Sequence, residues 1–531
     1  MLSRIAPALL FFAANLTAQQ PAVPLYPDLG THHRAIGTGV PLAQQYFDQG
    51  LRLVYGFNHA EAIRSFTRAT ELDPACGMCW WGIAYAYGPH VNAGMDSTSG
   101  VIAYKAAQQA LSQSRNASPG ERAYIGAVAA RYAPVPPADR AALDSAYARA
   151  MGGVARMYPD DLDAQALYAE ALMDLRPWNY WTPEGKPYPG TEELVGLLEK
   201  TIARNPEHPG ACHYYIHAVE AVTPEKAVPC AERLAKLMPG VGHMVHMPAH
   251  IYVRVGRYAD AATSNVHAIH TDETFIEGQK PVTVYSLAYY PHNIHFLAFV
   301  STLAGRSAQA LEASRTLRTK VNLDVARQVF MLQEMVPYHV LTLTTFGRWD
   351  EVLREPLPPS DIRMPLALAY YARGVAHAAK GQLTEARMAL DTVRAVDAST
   401  PAGVDAKTAT SIAVHALMGE IAVRSGKADE GIAHFQEALK IEEAGLYFEP
   451  PRWYYPIRHS LGAALLKAGR HAEAEAVYRE DLKRFPENGW SLFGLAAALN
   501  AQGKAGEAAA VEQRFAKAWA ASDVKLIASR F

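Results

Sequence analysis

The chain has 531 residues, half of them hydrophobic and 19% charged, with a formal net charge of −2. That length exceeds one compact core, so the chain is either several domains or a repeat array. The composition excludes a disordered chain. The near-zero charge gives no electrostatic ground for a nucleic acid or an anionic membrane as partner.

Residues 1–18 read as an export signal. Arg4 supplies positive charge, Ile5 to Leu16 is mostly apolar, and Leu16-Thr17-Ala18 offers a small residue for cleavage. The run is too short for a stable membrane anchor; a plain N-terminal helix is the alternative. A Pro-rich start to the coil over 19–42 favours export, to the periplasm or outside the cell. No later segment is apolar enough for a transmembrane helix, so no membrane span is expected after signal removal. Four cysteines suit an oxidising compartment. Cys76 and Cys79 form a CxxC at a helix start, where a thiolate would be stabilised. No thioredoxin-like pattern surrounds them, which favours a structural disulfide. Cys212 and Cys230 can pair if adjacent helices bring them together.

Internal repeats set the rest. From Ala43 onward, Gly50, Ala62, Phe66, Ala69 and Pro74 fall at positions 8, 20, 24, 27 and 32 of a 34-residue helix–turn–helix repeat. Small residues at 8 and 20 let two helices approach, the aromatic at 24 fills the space beside them, and proline ends the second helix. Further repeats start at Gly77, Pro209, Gly242, Pro291, Gln333, Ala367, Ile412, Tyr455 and Gly489. Glycine recurs at position 15 as Gly256, Gly305, Gly347, Gly381, Gly426 and Gly503. From residue 43 on, the chain resembles the tetratricopeptide-repeat family, of an exported bacterial type. The resemblance implies an all-α, right-handed superhelical solenoid of about a dozen repeats. The expected division is an N-terminal solenoid over 43–325 and a C-terminal one over 326–531. Phase breaks at Arg176–Glu192, Asp272–Tyr290 and near Ser399–Ser411. The first two are rich in aromatics and proline, and either line a groove or pack irregularly between repeats.

Histidine is over-represented, with 20 residues, and its placement is not random. At about 100° per residue, positions 4, 7, 8 and 11 of a first helix share the packed face, and positions 2, 5 and 9 point the other way. In the family this second face lines the concave groove where ligands bind. In three successive first helices those slots hold His213 and His217, then His243, His246 and His250, then His292 and His295, with Phe299 at the remaining position 9. Seven of nine slots are histidine where the average frequency gives about 0.3. Neutral imidazoles suit Zn, Cu, Fe or Ni and argue against Mg or Ca. Seven would best serve two ions, which favours copper over zinc or iron by analogy with coupled dicopper proteins. Met244 and Met247 are possible soft ligands but point off the histidine face. Pro248, inside a helix, breaks a local rule as functional sites tend to. Glu170 is a possible carboxylate beside the cluster, and His459, at position 5 of a distant repeat, reads as surface.

Two functional classes follow. One is an exported metalloprotein that binds a transition metal through His213, His217, His243, His246, His250, His292 and His295, as a metal-dependent oxidoreductase using copper. The other is a metal-free scaffold that holds a protein or peptide in the concave groove, its histidines being groove contacts or a buried hydrogen-bonded network. No phosphate-binding glycine loop, nucleophile elbow or HExxH motif is present.

Overall fold

Helix hairpins account for most of the described chain because small residues recur where helices must touch. In the first hairpin, Pro41–Tyr55 packs on His59–Leu72. A Cβ added at Gly50 would lie 2.6 Å from the Phe66 ring, so the aromatic at position 24 fits only against glycine. Asn58 caps the second helix by accepting from the Glu61 N–H. The computed structural model describes residues 23–277 and 283–531. The expected export signal lies outside the described residues. No strand forms among the described residues, only isolated bridges at His90–Ala93 and Trp181–Pro187, and no helix among them is long and apolar enough to cross a membrane.

The chain forms two compact units. The first comprises the described residues up to Ile251 together with His267–Ser286, and the second comprises Tyr252–Val266 with Leu287–Phe531. Position 325/326, where the sequence suggests a division, falls inside the second unit. The first unit runs through hairpins such as Gly77–Ala86 with Ser97–Gln113 and Leu162–Asp174 with Thr191–Arg204. It ends on Pro209–Val219 with Val228–Leu237, and on Gly242–His246. The second unit includes Tyr290–Leu303 with Ser307–Lys320, and Asp405–Arg424 with Ala428–Glu443. It closes with Ile457–Lys467 on His471–Arg484 and Gly489–Ala501 on Ala505–Ala518.

Three local findings bear on the site. Pro248 does interrupt its helix, which is split into Gly242–His246 and Pro248–Arg254 because proline has no N–H to continue the ladder. The insertion expected at Asp272–Tyr290 is shorter than the sequence suggests: helix Tyr258–Glu277 runs through its first residues, and a π-helical turn at Tyr285–Tyr289 leads into the next helix. Cys76 pairs with Cys79 and Cys212 with Cys230, leaving no free cysteine. The second disulfide ties helix Pro209–Val219 to Val228–Leu237.

Candidate metal centre

Five of the seven expected histidines belong to the first unit and are packed together there. Pro209 opens one helix at its first position, where a missing N–H costs nothing. Four residues on is His213, and one turn later is His217. His243 and His246 sit on Gly242–His246, and His250 follows the break at Met247. All five are buried.

The nitrogens face each other. His213 Nε2 lies 3.1 Å from His243 Nε2, and one ligand nitrogen each from His213, His217 and His243 lies within 4.8 Å of the others. His246 Nε2 lies 2.8 Å from His250 Nε2. The trio and the pair adjoin, with ring centroids 6.0 Å apart for His217 and His250 and 6.1 Å apart for His243 and His246.

The outer nitrogens decide the chemistry. His213 Nδ1 is 2.6 Å from the Tyr55 carbonyl oxygen, which only accepts. Nδ1 therefore carries the proton, and the neutral ring presents a bare lone pair at Nε2. His217 Nδ1 is 3.3 Å from Glu220 Oε1, and His250 Nδ1 is 2.6 Å from Glu220 Oε2, with the same consequence for each. Nε2 of His217 is buried and has no hydrogen-bond partner. Burial pushes His213 and His243 well below the usual imidazole range and lowers His217, so these rings stay neutral. Burial raises the Glu220 carboxyl, but contact with His250 and His217 more than reverses this and holds it at about 2. Three of the five rings, His213, His217 and His250, thus have an outer acceptor that holds the proton on Nδ1 and leaves Nε2 with a lone pair, as metal-ligating histidines require.

Aromatic rings wall the trio. Phe57 has its ring centroid 4.5 Å from His213, 5.6 Å from His243 and 6.0 Å from His217. It also stacks on His90 at 4.5 Å. Trp178, from the aromatic-rich insertion after Arg176, meets His217 edge-on at 4.9 Å. Phe57 and Trp178 both have positive φ, 55° and 62°. Such backbone is costly for bulky residues and clusters at functional sites.

His292 and His295 belong to the second unit, on helix Tyr290–Leu303. His292 is half-buried against Phe296. His295 is buried against Tyr338, with ring centroids 4.1 Å apart, and burial lowers it to about 3. Glu170 does not serve the histidines. Its carboxylate accepts from the Tyr85 hydroxyl at 2.8 Å and, as burial raises it, sits beside Arg131 and Asp174. The carboxylate of the cluster is Glu220, one turn beyond His217. The i, i+3 spacing in His217-Ala218-Val219-Glu220 is the signal for it.

A second cluster, His32, Asp163 and His208, has no counterpart in the sequence reading. Here the outer nitrogen points to a different chemistry. His208 Nδ1 accepts from the Ala211 N–H and caps helix Pro209–Val219, so Nε2 carries the proton and lies 3.3 Å from Asp163 Oδ1. Asp163 also takes His32 Nε2 at 2.9 Å, the Tyr55 hydroxyl at 2.5 Å and Arg34 at 3.1 Å. Burial opposes the Asp163 charge, yet His208 and His32 hold the carboxyl well below its ordinary range. Its lone pairs are spent on donors, and the cluster is a latch between the N-terminal segment and two helices.

Residues 459–523 match the tetratricopeptide repeat family. No curated protein matches the chain. Similar solved structures include the human IFIT1 dimer with m7Gppp-AAAA, 13% identical over 92% of each chain at a TM-score of 0.34. The APC/C hetero-tetramer Cut9-Hcn1 is 14% identical over 91% of this chain and 88% of its own at 0.29. Yeast Tom70 is 11% identical over 90% and 91% at 0.30. Residues 459–523 thus carry the tetratricopeptide repeat, and the same glycine and alanine anchors recur in phase along the rest of the chain with helix hairpins built on them.

Proposed function

We propose that this protein is an exported metalloprotein whose first unit holds a transition metal ion through Nε2 of His213, His217 and His243, with a second ion on the adjoining His246–His250 pair. The single observation that carries the reading is the buried Nε2 of His217 without a hydrogen-bond partner, on a ring that brings a ligand nitrogen within 4.8 Å of ligand nitrogens of His213 and His243. A fully satisfied histidine network would give each buried nitrogen a donor or acceptor; here His213 with His243, and His246 with His250, lie at hydrogen-bond distance through Nε2, and Nε2 of His217 is left over. An all-nitrogen donor set suits copper or zinc. Copper is favoured because two adjoining nitrogen sites match the coupled dicopper arrangement, whose chemistry is oxidative. Both disulfides and the apolar N-terminal run support an oxidising, extracytoplasmic compartment.

The alternative rests on the repeat itself, which in its family presents a groove to proteins or peptides. Metal analysis of untagged protein separates the two. We expect a stoichiometric transition metal, lost when His213 and His243 are both changed to Ala while helical content is kept. Metal-free protein that takes up neither Cu(II) nor Zn(II) leaves only the scaffold.

A further inference from the structure

Glu220 has both carboxylate oxygens committed, and to two different parts of the cluster. Oε1 receives Nδ1 of His217, a member of the trio, at 3.3 Å. Oε2 receives Nδ1 of His250, a member of the pair, at 2.6 Å. The residue is 1% exposed, so both oxygens are shielded from bulk solvent. It caps helix Pro209–Val219 one turn beyond His217, which brings it level with His250 on the neighbouring segment. An ionised carboxylate only accepts, so it pins the proton on Nδ1 of both rings at once.

We propose that Glu220 is a shared positioning residue that keeps one ligand at each of two adjoining metal ions in the binding tautomer. The inference rests on the metal reading above and adds the element that joins the two sites. Two other polar neighbours among the described residues play different parts: the Tyr55 carbonyl accepts from His213, and the Tyr285 hydroxyl accepts from the backbone N–H of His243.

The chemistry of the side-chain amide gives the test its resolution. In Glu220→Gln one oxygen still accepts from one ring, but the other ring meets an N–H₂ group. That ring must turn its Nδ1 into an acceptor and move its proton to Nε2, which closes the lone pair needed for metal. Outer partners of this kind are worth 10–100-fold in metal affinity. Titration of the full metal-free chain with Zn(II) against a competing chelator is therefore expected to give two ions in wild type. Glu220→Gln should weaken one of them 10–100-fold and spare the other, and Glu220→Ala should weaken both. A fold defect would not divide the two ions in this way. Two ions of wild-type affinity in both variants, or equal losses at both ions in Glu220→Gln, overturn the shared role while leaving the metal site standing. Binding of neither Zn(II) nor Cu(II) by wild type overturns both readings. Where the variants fail to fold, ¹⁵N-labelled histidine in the metal-free wild type decides the matter. Nδ1–H tautomers at both His217 and His250 support the proposal, and an Nε2–H tautomer at either overturns it.

Discussion

Position 5 of the first helix is histidine in both units, and the two settings differ in what faces the ring. In the first unit His213 turns Nε2 toward His243 Nε2. In the second, His459 turns Nε2 toward Asp481 Oδ2 at 3.2 Å, and Asp481 is completed by Ser491 at 2.6 Å. Both histidines are buried. Burial therefore does not distinguish a ligand from a structural histidine. What distinguishes them is whether the inner nitrogen meets a carboxylate that uses its proton or another nitrogen that offers a lone pair. The sequence reading of His459 as surface is corrected here: it belongs to a packed polar network with Asp481 and Asn488.

The largest expected effects split along this line. If the proposed metal site holds, His213→Ala should lower metal affinity by at least about 100-fold, since it would remove a direct ligand and not only its outer partner. His459→Ala should leave metal content unchanged and instead cost about 3 kcal/mol in urea unfolding, because Asp481 keeps a buried charge without its partner. Metal loss in His459→Ala would break the comparison.

The units also differ in covalent bracing. All four cysteines lie in the first unit, and Cys212 sits directly before His213. Changing Cys212 and Cys230 together to Ser opens a bridge with a sequence separation of 18. It should cost about 3 kcal/mol of stability by the loop-entropy estimate. Thermal unfolding of oxidised wild type against the double variant measures it. A loss confined to the first unit, read by hydrogen exchange, sharpens the contrast with the unbraced second unit.

A third difference is visible in acid. Burial raises Asp481, but contact with His459 and the Ser491 hydroxyl leaves it below its ordinary value of 3.8. A carboxyl depressed in the folded state binds fewer protons there than in the unfolded chain. Its stabilisation is full above pH 3.8 and is lost as pH falls through the lower folded value. Unfolding of the second unit followed from pH 6 to pH 2 should show this limb, and Asp481→Asn should remove it.

How far the sequence reaches follows from these same residues. Repeat anchors were legible because each is a local requirement: Gly50 has to clear Phe66, and the hairpin repeats that demand along the chain. Histidine positions were legible as a face of a helix, which is also local. The partners of those histidines were not, since Tyr55 lies 158 residues from His213 and Glu220 lies 30 from His250. Glu170 attracted attention at a groove position, yet Tyr85 and Arg131 had already claimed it. The His32–Asp163–His208 latch joins residues 131 apart and leaves no periodic trace.

The smallest effect tests the turn between paired helices. Position 15 in the second unit is glycine seven times over: Gly256, Gly305, Gly347, Gly381, Gly426, Gly469 and Gly503, all with φ between +67° and +80°. In the first hairpin the same position is Phe57, at +55°. An added Cβ at Gly381 meets nothing within 4 Å, so Gly381→Ala isolates the backbone term, expected at about 1 kcal/mol. Phe57 already bears that cost in the native chain, and in return its ring covers His213, His217 and His243. Phe57→Gly should therefore lose about 1 kcal/mol less stability than removal of an equally buried ring from an unstrained backbone, for which Phe66→Gly in the same hairpin is the control after allowance for its helical glycine. If Phe57→Gly costs as much as that control, the left-handed turn carries no strain, and an aromatic there is an ordinary core residue.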